Sequence, residues 1–190
     1  MSAAGRAAPH AYGMLVIRIL QPEDAAAYFE LRRNALTDAP LAFASSPEDD
    51  VCSSVEAVGK QIRAGRENVI LGAFHPHLVG AVGVYRDRHR KAAHKAHVWG
   101  MYVAPGHRRQ GFATELLQAA LGHVAALPGV SWVHLSVSSD APQARRLYEQ
   151  AGFQVWGTEQ DAIRHDGRSA VEYHMALRLD SNEGPTDAPR

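Results

Sequence analysis

Met101-Tyr-Val-Ala-Pro-Gly-His-Arg-Arg-Gln-Gly-Phe-Ala113 is the stretch from which the fold of this chain can be predicted. An apolar run ends at Val103, Pro105 and Gly106 interrupt it, and a basic segment then leads into an amphipathic run. A strand, a basic loop with a glycine and the start of a helix therefore follow one another. Backbone N–H groups and the positive end of a helix dipole meet at such a point, which favours a phosphate or diphosphate ligand.

The residues on either side of this loop predict a mixed α/β sheet. Apolar runs rich in β-branched residues predict strands, and apolar stripes at helical spacing predict helices. The elements follow in the order β-α-α-β-β-β-α-β-α-β-β, with a turn at His75-Pro-His77 and no internal repeat. Strands are predicted at 14–20, 68–74, 78–85, 95–103 and 132–137 and in two runs that end at 179, and helices at 22–39, about 51–66, 111–127 and 141–150.

Length and composition predict one domain that works in the cytoplasm. The 190 residues suit a single domain over 14–179, with flexible tails at 1–13 and 180–190. Twenty basic and twenty acidic residues cancel, so neither nucleic acid nor an anionic membrane is an expected partner. No apolar run reaches the ~20 residues of a membrane span, and the first 13 residues do not look like a secretory signal.

Cysteine use points to the same compartment. Cys52 is the single cysteine, so an internal disulfide is excluded and a reducing environment is indicated. Its neighbour Asp50 is acidic, which should raise the pKa of the thiol and argues against a nucleophilic role.

Two signatures in this chain resemble those of the GNAT acetyltransferase superfamily. Arg108-x-x-Gly-x-Ala113 is similar to the acyl-CoA loop of that family, and Tyr102-Val-x-Pro105 precedes it as it does there. Further on, Ala144-Arg-Arg-Leu-Tyr-Glu-Gln-Ala-Gly-Phe153 resembles the second signature, Ala-x-x-Leu-Tyr-x-x-x-Gly-Phe. The resemblance covers residues 14–179. It implies a central, mostly antiparallel twisted sheet with splayed middle strands and with helices on both faces.

The resemblance also implies an N-acetyltransferase with acetyl-CoA as co-substrate, in which the acceptor amine attacks the acetyl group directly, without an acyl-enzyme or a metal. Backbone N–H groups of the loop would meet the diphosphate, and two arginines would add charge. A Walker phosphate loop and a dinucleotide fingerprint are excluded by their missing residues. The implied acetyl-CoA contacts are Met101, Tyr102, Val103, Arg108, Arg109, Gln110, Gly111, Phe112, Ala113 and Thr114.

Tyr148 stands where the family has its general-acid tyrosine, and a phenol stays protonated at neutral pH. A backbone N–H of the 101–103 strand would meet the oxyanion, and Gly100 could supply the bulge that splays the strands. Glycine and serine replace the two glutamates that relatives use as bases, at Gly100 and Ser136, and Ala141 replaces an asparagine. His97 is then the leading candidate base, with Glu172, His174 or a water chain as alternatives.

The acceptor pocket is expected between the first two helices and the strands that face the acetyl group. The residues predicted to bind the acceptor are Phe29, Phe43, Ser45 and Trp99. Ser46, Tyr85 and Tyr173 are further candidates. The acidic run Glu48-Asp-Asp50 either attracts a cationic amine or caps a helix. A small primary amine is favoured over a peptide, because the glutamate expected at Ser136 in peptide acetyltransferases is missing.

Other functions stay open or are excluded. The missing glutamates and Ala141 would also suit a non-catalytic acyl-CoA sensor or partner subunit, and a peptide or protein N-acetyltransferase is a further alternative. Eleven histidines give no ligand set typical of a structural metal. The basic run 86–91 lacks the interleaved aromatics of an RNA site. Whether two copies form a homodimer is left open.

Overall fold

The structure, a computed structural model of the chain, describes residues 14–179. Its strands are β1 Val16–Ile19, β2 Asn68–Phe74, β3 Leu78–Arg86, β4 Lys95–Val103, β5 Trp132–Ser138, β6 Gln154–His165 and β7 Arg168–Arg178. Its α-helices are α1 Ala25–Asp38, α2 Val55–Ile62, α3 Phe112–Ala125 and α4 Pro142–Gln150. The predicted order of elements is confirmed. The two predicted tails lie outside the described residues.

All seven strands form one mixed sheet in the order β1-β2-β3-β4-β5-β7-β6. Neighbouring strands are antiparallel except for β4 and β5, which are parallel. Helix α3 connects these two strands, as a parallel pair requires a crossover of this length. The mostly antiparallel sheet expected from the resemblance is confirmed.

Apolar side chains of the central strands alternate between two cores on opposite faces of the sheet. In β2, Val69 and Leu71 pack in the core that contains α3, whereas Ile70 packs in the core that contains α1. Both faces of the central strands are thus buried, which explains why β2 and β3 read as nearly continuous apolar runs. The expectation of helices on both faces is confirmed.

Helix ends follow local chemistry, and one of them differs from the prediction. Ser54 caps α2 by accepting a hydrogen bond from the Ala57 N–H, so this helix begins four residues later than predicted. It ends at Ile62, before the predicted 66, because Gly65 adopts a left-handed φ of 99°. Within 14–179 no helix is both long and apolar enough to cross a membrane.

The segment between α1 and α2, residues 39–54, is called the roof loop below. Leu41 anchors its first part against Ile163 and Ala170 of the β6–β7 hairpin. Cys52 anchors its second part in the α1 core, and burial raises the pKa of this thiol to about 11. The predicted direction of the Cys52 shift is confirmed. The roof loop is thereby held against the sheet on the α1 face.

Candidate active site

Strands β4 and β5 pair over only three residues and then separate. Their register joins Lys95–His97 to Trp132–His134, and no ladder between them follows within the described residues. On its other side β4 carries a bulge, since Gly100 and Met101 together lie opposite Val82. Gly100 has a φ of 62°, which glycine adopts at little cost. The splayed middle strands and the bulge at Gly100 are both confirmed.

Beside the carboxyl end of β4, the start of α3 presents free backbone donors. Gly111, with a φ of 85°, is the N-cap residue, and its carbonyl accepts the first helical bond from Glu115. Within residues 14–179, the N–H groups of Gly111, Phe112, Ala113 and Thr114 donate no hydrogen bond. Four donors at the positive end of a helix dipole suit an anion. The cofactor contacts predicted at these residues stay a prediction.

Arg108 has partners inside the protein. Its Nε donates to the Val103 carbonyl oxygen at 2.8 Å, and its Nη2 pairs with the Asp38 carboxylate at the end of α1. The Tyr102 hydroxyl donates to the same carboxylate at 3.3 Å. Arg108 thus ties the loop to β4 and α1. The neighbouring Arg109 side chain is exposed, with a backbone φ of 59°.

A cavity of about 390 Å³ opens on the α1 face of the sheet, under the roof loop and across the separation of β4 and β5. Its volume lies in the range of small-molecule sites, roughly 300–1,000 Å³. The lining residues are Arg32, Ala42, Phe43, Ala44, Ser45, Tyr85, His97, Val98, Trp99, Gly100, His134, Leu135, Ser136, Trp156, Glu172 and His174. Sequence reasoning placed Phe43, Ser45, Trp99 and His97 here, and the structure brings these four together.

Phe29 and Tyr173 do not line this cavity. Phe29 packs on the α1 core, with the Arg33 guanidinium 5.7 Å from its ring centre. The Tyr173 ring packs on the opposite face of the sheet, 4.1 Å from the Arg145 guanidinium. Strand alternation turns the Tyr173 side chain to the face opposite the cavity. The role of Phe29 in acceptor binding stays a prediction.

His97 is held by a carboxylate that lies ten positions earlier in the chain. Its Nε2 is 3.1 Å from Asp87 Oδ2, and its ring stacks on Tyr85 with centres 4.5 Å apart. The hydrogen bond from His97 is the main reason that the pKa of Asp87 is lowered. Next to it, burial lowers the pKa of His134, and the proximity of His97 lowers it further, which keeps that imidazole neutral at neutral pH.

A second polar cluster lies on β5, β6 and β7. His174 Nδ1 is 2.8 Å from the Ser136 hydroxyl, and His174 Nε2 is 3.4 Å from Glu159. Burial raises the pKa of Glu172, and the charge of Glu159 adds to the shift. Ligand atoms of Glu159, Glu172 and His174 lie within 4.8 Å of one another. The sequence did not predict this grouping, because it depends on the register of three strands.

Arg32 and Asp50 form a buried ion pair beside the cavity. Nε and Nη2 of Arg32 donate to Asp50 Oδ2 at 3.0 and 2.5 Å, and Asp50 Oδ1 accepts from the Cys52 N–H at 2.7 Å. Burial opposes ionisation of Asp50, but the hydrogen bonds outweigh it, and the pKa of Asp50 is lowered. Asp50 is therefore a partner of Arg32, and its charge is compensated within the protein.

Tyr148 lies in the α3 core, on the other face of the sheet. It is 5% exposed, and its ring packs edge-on against Phe153 at 5.9 Å. Burial raises the pKa of its phenol, so the group is protonated at neutral pH. The separation of β4 and β5 lies between this face and the cavity.

Comparisons with known proteins agree on one family. The model of the acetyltransferase (GNAT) family matches residues 29–153. No curated protein matches the chain. A putative acetyltransferase from Salmonella typhimurium, solved with its cofactor acetyl-CoA, superposes with a TM-score of 0.74 at 18% identity, over 93% of this chain and 100% of the other.

Two further similar structures have named acceptors. A spermidine N-acetyltransferase from Vibrio cholerae, in complex with CoA and spermine, has a TM-score of 0.71 at 20% identity, over 86% of this chain and 95% of the other. A phosphinothricin acetyltransferase from Sinorhizobium meliloti, in complex with acetyl-CoA, has a TM-score of 0.75 at 18% identity, over 91% of this chain and 94% of the other. At these identities the likeness shows the fold.

Proposed function

We propose that this chain, which belongs to the acetyltransferase (GNAT) family, transfers an acetyl group from acetyl-CoA to a primary amine of a small molecule. The observation that carries the proposal is the separation of β4 and β5. At one end of it lie the free N–H groups of α3, and on one face lies a cavity of small-molecule size. A thioester and an amine could meet there.

The chain's residues fit the diphosphate of acetyl-CoA at the start of α3. Four unpaired N–H groups supply donors, and Gly111 has no Cβ to keep a ligand away from the backbone. The exposed Arg109 side chain is free to add charge. Arg108 donates to the Val103 carbonyl and pairs with Asp38, so we propose that its side chain fixes the loop, and its contact with the cofactor stays a prediction.

Acetyl-CoA supplies an activated acyl group, whose carbonyl carbon forms a bond to the amine nitrogen while its bond to sulfur breaks. The chain has to stabilise the charge that develops on the carbonyl oxygen. We assign this to a backbone N–H of Met101–Val103, on the edge of β4 that β5 leaves unpaired. A fixed backbone dipole needs no reorganisation during the reaction.

Tyr148 is proposed to give its proton to the departing sulfur. Its burial and raised pKa keep the phenol protonated at neutral pH, which a general acid requires. A thiolate whose conjugate acid has a pKa near ~8.5 needs only modest help to leave.

His97 is proposed to take the proton from the amine. If Asp87 accepts a hydrogen bond from Nε2, the other ring nitrogen, Nδ1, carries a lone pair. The carboxylate also stabilises the imidazolium that forms. Glu172, whose raised pKa makes it a stronger base than an ordinary carboxylate, is the second candidate, followed by His174 and a water chain.

Two alternatives to a small-molecule acetyltransferase were open from the sequence. Membership in an acetyltransferase family favours an enzyme over a non-catalytic sensor. A peptide acceptor needs an open groove, whereas the roof loop and the β6–β7 hairpin are packed together next to the cavity through Leu41. This packing supports a small acceptor.

The experiment that tests the function is thiol release from acetyl-CoA across a panel of amines. We expect Tyr148→Phe to lower kcat roughly 10²–10⁴-fold while the Kd for acetyl-CoA in calorimetry is unchanged. Tyr173→Phe, a tyrosine away from the cavity, is the matched control and should keep full activity. Unchanged turnover in Tyr148→Phe would remove its role as the acid. Acetyl-CoA binding without amine-dependent thiol release would support a sensor.

A further inference from the structure

One buried side chain beside the cavity has a donor that the protein leaves unused. Arg32 is 7% exposed, and its Nε and Nη2 are both directed at Asp50. Within residues 14–179, Nη1 is closed off from solvent and has no hydrogen-bond partner. An unpaired buried donor costs roughly 1–3 kcal/mol, and more when the group is charged. A ligand oxygen at this place would offset that cost.

The unused donor lies next to the separation of β4 and β5, where the two substrates would meet. A Cβ added to Gly100 would stand 3.5 Å from Arg32 Nη1, so this nitrogen lies over the β4 bulge. The indole Nε1 of Trp99, the residue before the bulge, is also buried and unpartnered among the described residues. This Nε1 lies over Gly83 of β3, where an added Cβ would collide with it, so Arg32 Nη1 is the unused donor at the bulge itself.

The space over Gly100 is occupied by the Arg32 side chain. A guanidinium occupies the space over the bulge, between the rings of Phe43 and Trp99, whose centres are 5.0 and 5.8 Å from its Cζ. Arg32 is the only lysine or arginine among the described lining residues. The acids on the other side, Glu172 and Glu159, are carried by β7 and β6.

We propose that the acceptor is an amine that also carries a carboxylate, as amino acids do, and that Arg32 Nη1 binds the carboxylate. This inference rests on the proposed acetyl transfer and narrows its acceptor. Charge-assisted bonds from a guanidinium to a carboxylate are among the stronger hydrogen bonds in proteins, and burial strengthens them.

The amine end of such an acceptor would point along the sheet toward His97 and the β5–β7 cluster. Adjacent strands are about 4.8 Å apart, so a group two strands from β4 is roughly 10 Å away. An acceptor whose amine is a few bonds from its carboxylate therefore reaches His97 on β4 or His134 on β5. A polyamine would place a second donor against Arg32 Nη1 and would leave that N–H group without an acceptor.

The first test compares matched acceptors on the unaltered protein. Thiol release is measured with L-amino acids and with the amine that each gives when its carboxylate is removed, and with the corresponding amino acid amides. We expect kcat/KM to be at least 10-fold higher for the carboxylate-bearing member of each pair that reacts. Equal or higher values for the amines and amides would overturn the inference but leave acetyl transfer in place. If no amine releases thiol, the proposed function fails as well.

The second test alters the donor. Arg32→Lys keeps one cation for Asp50 but removes the forked donor, and we expect KM for the carboxylate acceptors to rise at least 10-fold. KM for the matched amides should change by less than twofold. Arg33→Lys, the exposed neighbour on α1, is the control and should behave as the parent protein. Equal effects on acids and amides would mean that Arg32 only supports the fold. If Arg32→Lys does not fold, the comparison of matched acceptors on the unaltered protein still tests the inference.

Discussion

At the scale of single residues, the site is made of groups that burial and pairing hold in defined charge states. The Tyr148 phenol is kept protonated, His134 is kept neutral, and Asp50 is kept ionised beside Arg32. Each state has a physical cause that a substitution can remove.

Asp50 should make the protein sensitive to acid. Its pKa is lower in the folded protein than the ordinary ~3.9, so the unfolded chain takes up a proton first as the pH falls. The stabilisation from the Arg32 pair is therefore complete above about pH 4 and is lost as the pH drops through the folded pKa.

Urea unfolding between pH 7 and 3 measures this dependence. Asp50→Asn should be less stable than the parent protein at pH 7, and its free energy of unfolding should fall less between pH 5 and 3. Glu48→Gln, on the same loop but exposed, is the control and should retain the parent slope. If the free energy of unfolding falls equally with pH in Asp50→Asn and in the parent protein, Asp50 is not the source of the acid sensitivity.

We expect turnover to depend on both His97, the proposed base, and Asp87, which is hydrogen-bonded to it. We expect His97→Asn to lower kcat roughly 10²–10⁴-fold, as loss of a general base does, and Asp87→Asn to lower it by a smaller factor. His94→Asn, an exposed histidine three positions away, should be unaffected. If His97→Asn turns over like the parent protein, the base is Glu172, His174 or water.

At the scale of elements, we propose that acetyl-CoA binding depends on the start of α3. Gly111 adopts a φ of 85°, and alanine there costs roughly 1–2 kcal/mol of backbone strain. We expect Gly111→Ala to raise the calorimetric Kd for acetyl-CoA at least 10-fold, because relief of the strain turns the four N–H groups away.

Gly122 offers a matched control in the same helix. It is exposed in α3, and an added Cβ would meet no atom within 4 Å. Gly122→Ala should raise the free energy of unfolding by about 1 kcal/mol and leave the Kd for acetyl-CoA unchanged. If Gly111→Ala and Gly122→Ala bind acetyl-CoA equally well, the diphosphate does not bind at the start of α3.

At the scale of the whole molecule, the cavity depends on contacts between segments far apart in the sequence. Leu41 of the roof loop is 2% exposed and packs on Ile163 and Ala170 of the hairpin. Leu41→Ala should cost about 2 kcal/mol or more in urea unfolding. It should also raise KM for the acceptor without changing the Kd for acetyl-CoA, because the roof loop lies away from α3.

Leu36→Ala provides the comparison. Leu36 is equally buried, at 2% exposed, but lies on α1 outside the roof loop. It should cost similar stability with little effect on KM. The same rise in KM in both variants would mean that general loss of stability, rather than the roof loop, weakens acceptor binding.

The fold could be predicted from the sequence because its signals are local. The loop before α3 and the Leu147–Tyr148 signature each lie within about ten residues, and the strand and helix patterns lie within single elements. The signal for the helix start at Ser54, which the prediction missed, is also local, because serine is a preferred N-cap residue and here accepts from the Ala57 N–H.

The site was predicted only in part, because its pairs join distant residues. Asp87 meets His97 across a strand connection, and Ser136 meets His174 through the register of β5 and β7. Arg32 could have been noticed: it lies one turn after Tyr28 on the buried face of α1. An arginine on an apolar face needs partners. Asp50 accepts from Nε and Nη2, and within residues 14–179 Nη1 has no acceptor.

The short pairing between β4 and β5 has a mechanical consequence. Three residue pairs form the ladder that joins the half of the sheet containing β1–β4 to the half containing β5–β7. A force applied across the sheet should therefore part the molecule along this seam first, at a lower load than any antiparallel pair sustains. A ligand that contacts both halves of the sheet would bear part of that load, so single-molecule pulling should measure a higher separation force when the ligand is bound.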